Sequence, residues 1–228
     1  MKIGRWRGAL GAWILAASLG LGPSAQALTP RDLVTYGVAA SSVTYRGRAA
    51  VKIEADRSPG AGIGTANGNA IALLKGSSFH NGVIDVWLAG APKPGAPEAA
   101  RGFVGVAFRV GSDPRHYEVI YIRPTNGRAD DQLRRNHAIQ YSSEPEYPWQ
   151  RLRSESPGAY EAYADMAPGD WIRCRIVVTG AKARLFLGAN RQPSLIVNDL
   201  KHGDETGGVA LFIAAGTVAY FSGLSVKG

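Results

Sequence analysis

Apolar and polar residues alternate with a period of two along most of the chain. In residues 83–88, Ile84, Val86 and Leu88 share one side, with Asp85 and Trp87 on the other. Such alternation is typical of strands that are covered on one face. The same pattern recurs in residues 103–110, 116–123, 172–179, 185–187 and 209–213.

Glycine and proline separate these apolar runs, and no long segment shows the period of 3.6 that a helix requires. Residues 30–36 alone resemble a short helix, with Thr29 as N-cap and Pro30 at the first helical position. Residues 43–46 and 49–54 flank Gly47-Arg48 as a hairpin. We therefore predict an all-β fold, an antiparallel two-sheet jelly-roll sandwich.

The first residues have the pattern of an export signal. A basic start containing Lys2, Arg5 and Arg7 precedes the apolar run 9–21 and the cleavage-type sequence Ala25-Gln26-Ala27. We predict a signal peptide over residues 1–27 and a single sandwich domain over residues 28–228, exported to the periplasm or secreted. No later run approaches the ~20 apolar residues of a transmembrane segment.

The net charge and the cysteine content limit the partners and cross-links that the protein can have. The formal net charge is +8, of which the signal contributes three, so residues 28–228 carry +5. These cations are scattered, which argues against nucleic acid as a partner but suits acidic glycans or an anionic envelope surface. Cys174 is the only cysteine, so no internal disulfide can form, and its place in an apolar register predicts a buried thiol.

Several strands resemble those of a known family. Residues 79–86, FHNGVIDV, and 168–178, PGDWIRCRIVV, resemble strands of concanavalin A-like jelly rolls, and 208–213 and 220–226 resemble their closing pair. The resemblance covers residues 43–226 and is closest to secreted bacterial proteins of the laminin-G-like and 3-keto-disaccharide-hydrolase-like (DUF1080-type) group. It implies the sandwich fold and a carbohydrate-related role, because such folds host glycosidases, lyases, lectins and adhesion modules.

Two family activities are not implied. The E-x-D-x-x-E strand of laminarinase-type members is missing from the sequence, as are the R-x-E-L and Q-I-H strands of jelly-roll alginate lyases. The resemblance therefore leaves open whether the chain is an enzyme.

Residues 121–149 are the candidate site, since their mixture of charged, amide and aromatic residues cannot fill a core. If Asp85, Trp87 and Arg109 lie on a concave face, Tyr121 and Arg123 could join them. A return strand over 138–142 would then bring either His137 with Tyr141, or Gln140, over the same groove.

These side chains are suited to binding a sugar, because the C–H faces of sugars pack on aromatic rings and their hydroxyls form hydrogen bonds to planar polar groups. We predict Asp131 and His137 as catalytic candidates. The predicted substrate-binding residues are Trp87, Arg109, Tyr121, Arg123, Gln132, Asn136, Gln140, Tyr141 and Trp149.

The favoured hypothesis is an exported protein that binds, and in one version hydrolyses, a poly- or oligosaccharide. Its alternatives are a non-catalytic envelope or matrix module with a structural loop, and an acidic-glycan lyase using His137 and Tyr141 with Arg123 on the uronate. We predict no cofactor and no metal, since calcium has no motif with dense oxygen ligands here.

Overall fold

The computed structural model describes Met1 and residues 28–55 and 69–228. Apart from Met1, the predicted signal peptide lies outside the described residues. No helix in the described ranges has the length and apolar character needed to cross a membrane.

Fourteen strands dominate the described chain, with two short α-helices and two 3-10 turns. The strands are β1 Leu33–Tyr36, β2 Val38–Tyr45, β3 Arg48–Ala55, β4 Asn69–Leu74, β5 Gly82–Pro92, β6 Val104–Val110, β7 Tyr117–Ile122, β8 Ile139–Glu144, β9 Glu161–Ala162, β10 Ile172–Thr179, β11 Lys182–Leu187, β12 Leu195–Val197, β13 Gly208–Ala214 and β14 Thr217–Lys227. The 3-10 turns are Pro30–Asp32 and Pro124–Asn126, and the helices are α1 Gln132–Asn136 and α2 Trp149–Glu155.

The strands form two seven-stranded sheets in which every pairing is antiparallel. Sheet A has the order β1-β4-β13-β6-β7-β8-β9, and sheet B has the order β12-β11-β10-β5-β14-β3-β2. Among the described strands, six of the twelve neighbouring pairs join strands that are not consecutive in the chain, as the crossing connections of a jelly roll require. The predicted antiparallel two-sheet sandwich is confirmed.

The core lies between the sheets and is built from the inward side of each alternating strand. Ile84 and Val86 of sheet B and Val106 and Phe108 of sheet A are among its buried residues. Each such side chain contributes roughly 1.5–3 kcal/mol on burial. Cys174 is also buried there, and burial raises the pKa of its thiol to about 12, so the predicted core cysteine is confirmed.

The prediction of a short helix over residues 30–36 was partly wrong. Only Pro30–Asp32 is helical, as a 3-10 turn closed by reciprocal bonds between Thr29 and Asp32. Leu33–Tyr36 is strand β1, because it pairs with β4 and its β-branched and aromatic residues favour extended backbone. The first hairpin turns at Arg46-Gly47, one residue earlier than predicted, with positive φ angles of 42° and 77°.

Candidate functional site

The face of sheet A turned away from sheet B carries a cross-strand row of functional side chains. Residues paired directly across an antiparallel ladder share a face, and the register aligns Phe212, Gly105, Tyr121, Gln140 and Glu161. A side chain at Gly105 would place its Cβ 2.5 Å from the Cβ of Tyr121. Glycine at this position therefore makes room for the Tyr121 ring.

Arg123 forms the centre of a buried polar cluster beside this row. We call the cluster the insert network; its members are Arg123, Tyr121, Gln140, His137 and Glu161. The Arg123 guanidinium donates to Gln140 Oε1 at 3.1 Å, the Tyr121 hydroxyl at 3.2 Å and the His137 carbonyl at 2.9 Å. The Arg123 side chain is only 5% exposed, so these bonds replace the water it has lost. Its donors are committed within the protein.

Glu161 neutralises the insert network. Its carboxylate lies 3.4 Å from Arg123, accepts a 3.1 Å bond from Arg153 and lies 2.9 Å from Nδ1 of His137. Burial lowers the pKa of His137, and this effect outweighs the opposing charge of Glu161. One carboxylate thus holds two arginines and approaches a histidine at the edge of the sheet.

Aromatic rings surround the Arg123 cation. The guanidinium carbon is 5.2 Å from the ring of Tyr121, 5.7 Å from that of Trp149 and 5.8 Å from that of Phe103. Arg153 lies 4.5 Å from the Trp149 ring. These cation–π contacts fix the orientation of the rings.

A cavity of about 400 Å³ opens beside these rings, and we call it the aromatic pocket. Phe103, Tyr121 and Trp149 are its large lining residues. The remaining lining residues are Pro97, Ala99, Ala100, Gln150, Ala214, Ala215 and Gly216. Most of these residues are small. Phe103 and Trp149 are partly exposed, whereas Tyr121 is only 4% exposed, so Phe103 and Trp149 are the rings that a ligand can reach.

The structure brings together four of the predicted site residues: Tyr121, Arg123, Gln140 and Trp149, with His137 at the edge of their network. Tyr141 does not join them. Its side chain points into the core, where its hydroxyl donates to Glu118 at 2.7 Å and accepts from the Lys201 backbone at 2.7 Å. Burial raises its pKa, and because neighbours on a strand face opposite ways, Gln140 reaches the outer face instead.

Helix α1 and its N-cap contain three further predicted residues, which contribute neither to the aromatic pocket nor to the insert network. Asp131 is the N-cap and accepts from the Arg134 backbone at 3.0 Å. Gln132 donates to Asn136 at 2.7 Å along the exposed helix surface. Asp131 therefore has a helix-capping role, and His137 stands at the other end of α1 as its C-cap residue.

Arg109 is a buried clamp at one end of the sandwich. It donates to the carbonyls of His80 at 2.8 Å and Gly180 at 2.8 Å, to that of Gly203, and to Asp204 at 3.1 Å. The residue has a positive φ of 53° beside an irregular pairing of β6 with β13. This irregularity breaks the alternation that had placed Arg109 on a binding face.

Asp85 and Trp87 lie on the outer face of sheet B, so the predicted common face with Tyr121 and Arg123 was wrong. Arg173 forms two bonds to Asp85, at 2.9 and 2.7 Å. Burial alone would raise the pKa of Asp85, but the bonds and charges of Arg173 and Arg175 outweigh it and lower the pKa. The two outer faces are separate surfaces because the core lies between them.

Sheet B has its own cavity of about 610 Å³, which we call the sheet B trough. Its lining residues are Arg48, Val83, Asp85, Trp87, Arg173, Arg175, Val177, Ser222, Gly223, Ser225 and Lys227. Only Asp85 and Trp87 had been considered as ligand-facing from the sequence. Arg48, the Arg173–Arg175 pair and Lys227 lie far apart along the chain and form no motif.

Two acids of sheet A lie near this row: Glu144, which the sequence offered as one candidate acid for hydrolysis, and Glu161, which it did not indicate. Glu144 is buried and accepts a 3.1 Å bond from Ser142, and its burial raises its pKa. Alternation from Gln140 could have placed it on the outer face. Glu161 gave no such signal, because β9 is only two residues long.

Neither acid lines the aromatic pocket. Glu161 is held by Arg123 and Arg153, and Glu144 is buried beside Ser142. His137 and Tyr141 do not converge, because Tyr141 faces the core.

One histidine group could offer metal ligands among the described residues. Ligand atoms of His116, His202 and Glu205 lie within 4.8 Å of one another. The two imidazole rings are stacked at 3.8 Å and nearly parallel, so their nitrogens do not converge on one point. Their closest carboxylate contacts are 3.0 Å from His202 to Glu146 and 3.3 Å from His116 to Glu205, which makes the group an acid–histidine cluster at one end of the sandwich.

The fold is similar to those of solved proteins. Carbohydrate-binding module CBM66 from Bacillus subtilis matches with a TM-score of 0.50 and 11% identity, over 83% of this chain and 94% of the module. A Bacillus subtilis protein of unknown function with a galectin-like fold matches with a TM-score of 0.54 and 10% identity, over 86% and 88% of the two chains. No family model and no curated protein matches the chain. The predicted concanavalin A-like jelly-roll fold is confirmed; at these identities the likeness concerns the fold alone.

Proposed function

We propose that this protein is an exported carbohydrate-binding protein that holds a sugar in the aromatic pocket of sheet A without cleaving it. The observation that carries the proposal is the grouping of Phe103, Tyr121 and Trp149 around an open cavity of about 400 Å³. The similarity of the fold to a carbohydrate-binding module supports the same ligand class.

The pocket provides stacking surfaces that are held in place before a ligand arrives. Sugar rings present C–H faces that pack on aromatic rings, and fixed rings lose little conformational freedom on binding. The bonds and cation–π contacts of Arg123 hold Tyr121 and Trp149 in this arrangement. The insert network is therefore a support for the binding surface.

Binding without hydrolysis follows from the arrangement of polar groups. Glu161 is engaged by two arginines, Glu144 is buried, and neither acid lines the aromatic pocket. Small residues such as Ala100 and Gly216 leave space at the rings, and Gln150 adds an amide to the lining. This composition suits a neutral sugar.

Export is the second part of the proposal and is supported by the basic and apolar pattern of residues 1–27 with its Ala25-Gln26-Ala27 sequence. A protein delivered outside the cytoplasm would meet polysaccharides of the envelope or the surroundings. Mass measurement of the protein recovered from culture fractions tests this part, and an N-terminus at Met1 would contradict it.

Binding of neutral oligosaccharides to the full chain, measured by calorimetry, tests the site. Trp149→Ala should weaken binding at least tenfold, a loss of about 1.4 kcal/mol. Trp171→Ala is the matched control, because Trp171 packs against Tyr45 on the other sheet, and it should change affinity less than twofold. Thermal unfolding of both variants identifies any loss of fold. Equal weakening by the two substitutions, or absence of binding to every neutral glycan tested, would contradict the proposal.

A further inference from the structure

The sheet B trough is built by three cross-strand rows. Arg173 aligns with Trp87 and Ser222, and Arg175 aligns with Asp85 and Ser225. In the third row Val177 aligns with Val83 and Lys227. Long side chains thus stand on β10 and β5, and Ser222, Gly223 and Ser225 of β14 form a low floor beside them, with Lys227 at its end.

An irregularity in β14 deepens the floor. The pairing of β14 with β5 shifts between Ser222 and Ser225, and Gly223 there has a positive φ of 63°. A Cβ at Gly223 would lie 3.9 Å from Trp87 Cδ1, so any larger side chain would extend into the space beside the indole. Glycine keeps that space open and adopts a backbone conformation that other residues rarely take.

Most cations of the trough have no close carboxylate partner among the described residues. Arg48 and Lys227 have no carboxylate of the described chain within ion-pair distance, and Arg175 has one long contact of 3.4 Å to Asp85. Arg191 extends the group in an adjoining cavity of about 360 Å³ that also includes Arg173 and Arg175. Five cations therefore face one carboxylate across the two cavities.

Arg48 and Trp87 form a composite recognition element. The guanidinium carbon lies 4.0 Å from the Trp87 ring, and no hydrogen bond joins this guanidinium to a described residue. An arginine stacked on an aromatic ring keeps its in-plane N–H groups available for a carboxylate. The pair therefore combines a planar apolar surface with a fork of donors.

We propose that the sheet B trough binds an acidic polysaccharide, with its carboxylates on Arg48, Arg175 and Lys227 and a sugar ring beside Trp87. β10 and β14 lie on either side of β5, and Arg175 and Lys227 are two residues out of register, so their backbones are roughly 12 Å apart. This spacing over an open floor suits an extended chain with repeated charges. The trough has a single tryptophan, and the acidic Asp85 lies at its centre. An acidic polysaccharide therefore fits it better than a nucleic acid does, because nucleic acids favour a continuous basic surface.

This inference goes beyond the proposed function, because it uses the other sheet, other residues and an ionised ligand. The two sites can fail separately: neutral glycans and Trp149 test the aromatic pocket, and acidic glycans with Arg175 and Lys227 test the trough.

Calorimetric titration of the full chain with short oligogalacturonates tests the inference. The double variant Arg175→Ala/Lys227→Ala should weaken binding at least tenfold, and the wild-type affinity should fall as salt is raised. The matched control is Arg128→Ala/Arg151→Ala, which removes two exposed cations that are paired elsewhere with Asp165 and Glu155. It should change the affinity less than twofold.

Inorganic polyphosphate and single-stranded DNA serve as comparison polyanions. Trp87→Ala should weaken oligogalacturonate binding severalfold while leaving polyphosphate binding unchanged, since only the sugar uses the ring. Equal losses in the trough and control variants would show a general charge effect and overturn the inference. So would absence of oligogalacturonate binding, or tighter binding of DNA than of the oligosaccharide.

Discussion

The outer faces of the two sheets use charge in opposite ways. On sheet A, Arg123 and Glu161 are buried, bonded to each other and to their neighbours, and surrounded by aromatic rings. On sheet B, Arg175 is about half exposed, and Arg48 stacks on Trp87 without a carboxylate partner among the described residues. The buried Arg123 on sheet A therefore holds aromatic rings in position, whereas Arg48 on sheet B has hydrogen-bond donors available for a ligand. Burial distinguishes the two roles.

The largest expected effect comes from breaking the buried charge cluster. Glu161→Gln should lower the free energy of unfolding by about 3 kcal/mol, because it leaves the cation of Arg123 buried without its counter-charge. Urea unfolding measures the loss. Asp165→Asn removes the acid of an exposed pair and should leave stability unchanged within error. Similar losses in both variants would contradict the assignment of a buried structural role to the insert network.

The second effect concerns the space reserved for Tyr121. Gly105→Ala should cost about 2 kcal/mol through overpacking, since the new Cβ would lie 2.3 Å from the Ile120 carbonyl oxygen. It should also weaken neutral glycan binding by displacing the Tyr121 ring.

Gly111→Ala is the control for that substitution, because its nearest contact is an ordinary 3.4 Å to His116. Thermal unfolding and calorimetry compare the two variants. A fully stable Gly105→Ala protein with unchanged glycan affinity would show that the ring position does not depend on this glycine.

A smaller effect is expected from pH. Burial raises the pKa of Glu144 above the ordinary value of 4.5, so the folded protein holds this proton more tightly than the unfolded chain. Its contribution to stability is full below pH 4.5 and is lost as pH rises through the folded-state pKa. Glu144→Gln should therefore be more stable than wild type at neutral pH and similar to it at pH 4. A stability difference independent of pH between 4 and 8 would contradict this account.

The smallest effect on stability concerns sheet B. Asp85→Asn should cost less than about 1 kcal/mol, because its arginine partners are largely exposed and can be hydrated. The same change frees Arg173 and Arg175 and should strengthen oligogalacturonate binding severalfold in calorimetry. Weaker binding would show that Asp85 positions the arginines for the ligand instead of competing with it.

The strands could be predicted from the sequence because burial on one face requires a period of two, as in Ile84, Val86 and Leu88. The grouping of Tyr121 with Arg123 followed from the same rule. Alternation defines faces within one strand only, however, and it cannot tell which sheet a strand joins. Trp87 was therefore assigned to the surface of Tyr121, although the two belong to different sheets.

Irregular backbone features and long-range pairings account for the other differences between the predicted site residues and their positions in the structure. The positive φ of Arg109 turned a predicted ligand contact into a clamp between loops. Glu161 lies on a two-residue strand whose pairing with β8 no local pattern reveals. The trough unites Arg48, Arg175 and Lys227, and only the sheet order makes them neighbours.

Indole N–H signals in a two-dimensional ¹⁵N spectrum test the division of the two faces most directly. Trp87 and Trp149 lie in the sheet B trough and the aromatic pocket, and tryptophan-to-phenylalanine variants assign their signals. A neutral oligosaccharide should shift the Trp149 signal and leave that of Trp87 in place, whereas an oligogalacturonate should do the reverse. Movement of the same indole signal by both ligands, or no movement of the Trp149 signal with any neutral glycan, would contradict the account.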